Sequence, residues 1–109
     1  MQNLKGKNAV VTGGSKGIGK SVCLALANAG ANIFILDINK EEGLKTVEEI
    51  LKFNVEAYFF SINVADENEW INFITFLEAK SKSIDILVNN AGIWLGKEIN
   101  NVTFEEYQK

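Results

Sequence analysis

The ten residues Val10-Val11-Thr12-Gly13-Gly14-Ser15-Lys16-Gly17-Ile18-Gly19 restrict the fold more than any other stretch of this chain. A short β-branched run passes through a glycine-rich turn into what reads as a helix. Glycine accepts a positive φ and lets a ligand approach without meeting a Cβ. The first turn of a helix leaves amide N–H groups without intrahelical partners and carries a partial positive charge. A strand, a glycine turn and a helix start in that order therefore make an anion site, and a pyrophosphate is its usual occupant.

The rest of the chain alternates in the same way. Asn8 to Thr12 reads as a strand and Ile18 to Ala29 as a helix, with Ile18, Val22, Ala25, Leu26 and Ala29 expected on its buried face. Gly30 stands where a helix-ending glycine belongs. Ile33 to Leu36 is a continuous apolar run ending in Asp37, the pattern of a strand covered on both faces. Asn39 is placed to cap a helix from Lys40 to Phe53, with Leu44, Val47, Ile50 and Leu51 inward. Ala57 to Ile62 gives a third strand. Asp66 caps a helix to Lys80 that buries Trp70, Ile74 and Leu77, with Phe73 and Phe76 at helical spacing beside them. Ile84 to Val88 is a fourth strand, running into Asn89-Asn90-Ala91-Gly92. Thr103-Phe104-Glu105-Glu106 is a capping box that opens one more helix.

Strand and helix repeated in this way predict an α/β domain, a Rossmann-type doubly wound parallel sheet. Right-handed crossovers with a switch after the third strand give four strands in the order 3-2-1-4. A chain of 109 residues suits one such domain, here incomplete.

Composition removes several other functions. The net charge is −3 and no basic cluster occurs, which argues against nucleic acid. With no histidine and a single cysteine, a Ser-His-Asp triad, the usual zinc sites and an internal disulfide are all excluded. Met1 to Lys7 is polar and carries no sign of a signal peptide. No apolar run is long enough to span a bilayer, so a cytoplasmic, membrane-free protein is expected.

The glycine pattern has two readings. Gly13, Gly17 and Gly19 fit a dinucleotide turn, whereas Gly14, Gly19, Lys20 and Ser21 satisfy G-x-x-x-x-G-K-[ST], the phosphate loop of nucleotidases. Asp37 favours the first: it ends the next strand about 20 residues past the glycines, where an acceptor for a ribose 2′-hydroxyl belongs. Ile18 and Val22, if they open the buried helix face, favour it too. Asn89-Asn90-Ala91-Gly92 has no role in phosphoryl transfer.

Thr12-Gly13-Gly14-Ser15-Lys16-Gly17-Ile18-Gly19 together with Asn89-Asn90-Ala91-Gly92 resembles the short-chain dehydrogenase/reductase family, and the likeness extends over the whole chain. Nearest in look are the 3-oxoacyl-carrier-protein reductases and the sugar or polyol dehydrogenases. The resemblance implies a domain that binds a nicotinamide dinucleotide and serves hydride transfer between it and a carbonyl or alcohol substrate. It implies that Gly13, Ser15, Lys16, Gly17, Ile18 and Gly19 surround the pyrophosphate. Asp37, with Ile38 beside it, would bind the adenosine ribose and repel a 2′-phosphate, favouring NAD over NADP, whereas Lys16 pulls toward NADP. Asn63-Val64 stands where the family usually has Asp-Val against adenine. Asn90, Ala91 and Gly92 would lie beneath the nicotinamide ribose, with Trp94 near the substrate mouth.

Bland readings stand beside these. Thr12 and Asn89 tie strand ends together, Cys23 is a small buried hydrophobe, and Asp37 closes a turn. The family's catalytic serine, tyrosine and lysine are not matched in this sequence. Tyr107-Gln108-Lys109 has a spacing that points the two side chains apart on a helix. No catalytic residue is therefore assigned, and the chain is expected to be the cofactor-binding half, inactive alone. A non-catalytic dinucleotide-binding module is the alternative, and a phosphate-loop nucleotidase the more distant one. With the fourth strand as a sheet edge, the chain alone is expected to be marginally stable, to aggregate or to dock onto a complementary piece, and a homo-oligomer is expected for a full-length form.

Overall fold

The computed structural model describes residues 3–63 and 65–90. Strand and helix alternate as β1 (Asn8–Thr12), α1 (Gly17–Asn28), β2 (Asn32–Asp37), α2 (Lys40–Leu51), β3 (Ala57–Ser61), α3 (Glu67–Ala79) and β4 (Ile86–Asn89). The strands form one parallel sheet in the order β3-β2-β1-β4. The expected order is therefore the observed one. Val64, Ala91, Gly92, Trp94 and the helix expected from Thr103 lie outside the described residues.

The central strands β1 and β2 are apolar on both sides because helices cover both faces. Val10, Phe34 and Leu36 point to one face, where they meet Trp70, Phe73 and Leu77 of α3. Ala9, Val11, Ile33 and Ile35 point to the other, against Cys23 and Ala27 of α1 and Ile50 of α2. The two layers are built differently. The α3 face is aromatic: Phe73 meets Phe34, Phe60 and Trp70 edge-on at centroid distances of 6.3, 5.0 and 6.3 Å, and each such side chain contributes about 1.5–3 kcal/mol by its burial. The α1–α2 face uses small residues and brings helix backbone close to the sheet. A Cβ added to Gly43 would overlap the ring of Phe59.

Helix existence was legible, and the registers of α1 and α2 were not. In α1 the buried positions are Gly19, Cys23 and Ala27, whereas Ile18 is 75% exposed and Ala25 is exposed. The expected face through Ile18, Val22 and Ala25 is off by one position. In α2, Gly43, Thr46 and Ile50 are buried while Leu44 and Leu51 are about half exposed. Both errors have one cause: an apolar pattern ranks a glycine or threonine below a leucine, but close helix–sheet approach selects the small side chain. In α3 the expectation holds for Trp70 and Leu77, with Phe73 rather than Ile74 completing the buried row.

The helix ends follow the sequence. Ala31 N–H donates to the Leu26 carbonyl and Gly30 N–H to the Ala27 carbonyl, the Schellman arrangement, with Gly30 at φ +105°. Asn39 caps α2 by accepting from Glu42 N–H at 3.1 Å. Asp66 caps α3 by accepting from Asn68 and Glu69 N–H at 2.9 and 3.4 Å.

Candidate functional site

The carboxyl ends of the strands lie in register along one edge of the sheet: Thr12 sits between Leu36 and Asn89, and Asp37 beside Ser61. Strand order reverses between β1 and β4, and in open α/β sheets a ligand crevice forms at such a switch point. The glycine turn leaves β1 here. Gly13 and Gly17 both adopt positive φ, +68° and +63°, a region that costs an L side chain roughly 1–2 kcal/mol.

Two further glycines act through contact rather than conformation. A Cβ on Gly19 would overlap the Gly13 carbonyl oxygen and lie 2.8 Å from Asn90 Nδ2, so only glycine lets α1 start this close to the turn. A Cβ on Gly14 would meet Cys23 Sγ at 2.9 Å. At Gly17, by contrast, an added Cβ would meet nothing within 4 Å. The first two glycines face protein, and the third faces open space where a ligand can approach.

The start of α1 differs from those of α2 and α3. Lys16 occupies its cap position in an extended conformation and makes no side-chain cap bond, and the first turn holds no acidic residue. The first turn of this helix thus has neither a side-chain cap nor an acid of its own to meet its N–H groups and partial positive charge. Ile18, in that first turn, and Ile38, just after Asp37, are 75% and 70% exposed, two apolar side chains flanking the site.

Asp37 is fixed by backbone donors. Its Oδ1 accepts from Ile38 N–H at 2.7 Å and Asn39 N–H at 3.3 Å, and its Oδ2 accepts from Ser15 N–H at 3.3 Å. The turn-closing reading of this residue holds, and the bond to Ser15 joins the strand-end carboxylate to the glycine turn. Ser15 is buried, its hydroxyl donating to the Asn39 carbonyl at 3.4 Å.

On the β4 side, Thr12 Oγ1 donates to Asn89 Oδ1 at 2.9 Å and accepts from Asn90 N–H at 2.9 Å. Thr12 and Asn89 are strand-end ties, as expected. Asn90 Nδ2 donates to the Gly13 carbonyl at 3.2 Å, so this asparagine braces the glycine turn. Asn63 is held by its own loop and by α3: its Oδ1 accepts from Ala65 N–H at 2.9 Å and its N–H donates to Glu69 Oε1 at 2.8 Å. Cys23 lies directly under the turn, with its Sγ 3.8 Å from the Gly14 carbonyl, and burial pushes its thiol up to about 12. Such a thiol is a packing group and not a nucleophile.

The comparisons with known proteins agree with this geometry. The family model described as short chain dehydrogenase matches residues 7–109. The chain belongs to the short-chain dehydrogenase family. Cyclopentanol dehydrogenase of Comamonas sp. (strain NCIMB 9872) is 36% identical over 109 residues, which are 100% of this chain and 44% of that protein. L-rhamnose 1-dehydrogenase (NADP(+)) of Thermoplasma acidophilum is 36% identical over 110 residues, 100% of this chain and 43% of that one. The crystal structure of NAD+-bound xylitol dehydrogenase superposes with a TM-score of 0.79 at 33% identity, covering 84% of this chain and 35% of that one. The chain thus spans a little under half the length of the curated relatives it matches.

Lys20, the lysine of the phosphate-loop reading, is engaged elsewhere, its ammonium paired with Glu49 of α2. Ile18 does not point inward, so the argument from its burial falls away and the Lys20–Glu49 pair replaces it. Sequence reasoning missed Thr46, which is fully buried and donates to the Ser15 carbonyl at 2.7 Å. Its only signal was a polar residue inside an otherwise apolar helix face. Among the described residues no cluster of three or more histidine, cysteine or acidic side chains could hold a metal, and no helix is long and apolar enough to cross a membrane.

Proposed function

We propose that residues 1–109 form the dinucleotide-binding part of a dehydrogenase that takes NAD in preference to NADP. The observation that carries this reading is the uncapped start of α1 beside the open, positive-φ Gly17, joined to Asp37 through Ser15. These residues fit the cofactor. Lys16, Gly17, Ile18 and Gly19 would hold the pyrophosphate through backbone N–H groups, and Gly13, whose own N–H donates to the Leu36 carbonyl at 2.8 Å, would shape the turn around it. Asp37 would take the adenosine ribose, with Ile38 against the adenine side. A carboxylate at that place repels a 2′-phosphate, which is the reason for choosing NAD. Lys16, exposed at the same turn, favours NADP, but Asp37 is the group held in place by three backbone donors. Asn63, Val64, Ala91 and Gly92 belong to the same reading, on the adenine and nicotinamide sides, and Asn90 holds the turn against β4.

When bound, the nicotinamide supplies or accepts a hydride; a carbonyl or alcohol is the partner substrate of the whole protein. This chain's own part is binding and orientation. We assign it no catalytic residue and expect no turnover from it alone. A homo-oligomer and a cytoplasmic location complete the proposal.

Calorimetric titration with NAD and NADP tests it. Wild type should bind NAD more tightly, and Asp37→Ala should narrow that preference by roughly tenfold, the worth of one hydrogen bond to a charged group. Tighter binding of NADP to wild type, or a preference unchanged by Asp37→Ala, would remove Asp37 from the ribose. Magnesium-dependent ATP hydrolysis lost on Lys20→Ala would reinstate the nucleotidase.

A further inference from the structure

Thr46 makes an unusual bond for a helical threonine. Inside helices a threonine hydroxyl commonly bonds back to the carbonyl four residues earlier, and Thr75 of α3 does so, donating to Ile71 at 2.9 Å. Thr46 instead donates to a carbonyl 31 positions away, that of Ser15 in the glycine turn, at 2.7 Å and fully out of solvent. Ser15 is then held at three points by the end of β2 and the segment that follows it: its N–H by Asp37, its hydroxyl by Asn39 and its carbonyl by Thr46.

The third bond has a consequence on the far side of the same peptide. The described chain contains no cis peptide, and in a planar trans peptide the C=O and the following N–H point in opposite directions. Fixing the Ser15 carbonyl on α2 therefore turns the Lys16 N–H away from α2. Lys16 is the residue at the cap position of α1, where its own side chain makes no cap bond. We infer that Thr46 is a positioning residue: by holding the Ser15 carbonyl it aims the Lys16 amide at the bound phosphate without touching the cofactor itself. The inference rests on the proposed dinucleotide reading of this turn, and deepens it by naming what orients one of its donors.

The experiment compares wild type, Thr46→Val and Thr46→Ser in the full chain, titrated with ADP and with adenosine. Valine keeps the shape and removes the hydroxyl; serine keeps the hydroxyl. ADP affinity should fall roughly tenfold in Thr46→Val, as for one misaimed bond to a charged group. Adenosine affinity should move less than threefold, and Thr46→Ser should restore ADP binding. Equal ADP affinity in a folded Thr46→Val, equal losses for ADP and adenosine, or failure of serine to rescue would overturn the inference while leaving the cofactor site standing. Wild type that binds neither NAD nor ADP would overturn both. Should Thr46→Val not fold, the Lys16 amide proton of wild type decides: it must shift downfield on adding ADP, and an unmoved resonance would refute the role.

Discussion

Three helices begin at the same edge of one sheet or beside it, and they begin in two different ways. α2 and α3 have side-chain caps, Asn39 and Asp66, and acidic first turns, Glu41 and Glu42 in one and Glu67 and Glu69 in the other. α1 has no side-chain cap and no acid, and follows a turn of positive-φ glycines. The first two starts satisfy themselves and contribute to stability. The third does not, and the stability it forgoes is about the 1 kcal/mol that a cap typically contributes, which is what the proposed cofactor site would require. The contrast separates scaffold from site without reference to any other protein.

The comparison breaks most sharply at Gly17. Replacement by valine puts a β-branched side chain at φ +63°, in a space where, among the described residues, an added Cβ meets no atom outside its own turn within 4 Å. NAD affinity should drop by roughly a hundredfold, the loss of two bonds to a charged group, and titration calorimetry checks it. Next in size is Asp66→Ala, which removes a cap from the self-satisfied kind of helix start. Its chemical-denaturation midpoint should correspond to a loss of about 1 kcal/mol, with NAD affinity unchanged. A loss of affinity there would erase the distinction between the two kinds of helix start.

The smallest effect lies far from the site, where Glu56 accepts from the Tyr58 hydroxyl at 2.7 Å and from Lys82 at 3.2 Å. The tyrosine bond first, then the lysine, holds the Glu56 carboxyl below its ordinary value, and the same bond raises the Tyr58 hydroxyl above its own. A depressed carboxylate contributes stability above its unfolded value and loses it as pH falls through the lower folded one; the raised tyrosine contributes below its unfolded value and loses it as pH rises through the folded one. Glu56→Gln should therefore flatten the acid limb of the melting-temperature profile slightly, by well under about 1 kcal/mol for so exposed a cluster.

Much of this molecule can be read from its residues. Strand order, the caps at Asn39 and Asp66, the Gly30 terminus and the ties at Thr12 and Asn89 all follow from local chemistry that a single sequence displays. The buried faces of α1 and α2 do not, because Gly19, Gly43 and Thr46 are inside for reasons of space and partnership. Gly19 is dictated by the Gly13 carbonyl and Gly43 by the ring of Phe59, atoms six and sixteen positions away along the chain. Asn90 was legible as part of a motif, but its grip on the Gly13 carbonyl joins opposite ends of the described chain. Long-range contacts of this kind leave no periodicity to read.

The most direct test of the open start of α1 is to close it. Lys16→Asp places a capping acid where α2 and α3 already have a side-chain cap. Measured together, the denaturation midpoint and the NAD dissociation constant should report opposite effects: stability rises by up to about 1 kcal/mol, and NAD binding is lost. Unchanged NAD affinity in Lys16→Asp would contradict the claim that this helix start is kept uncapped for an anionic ligand.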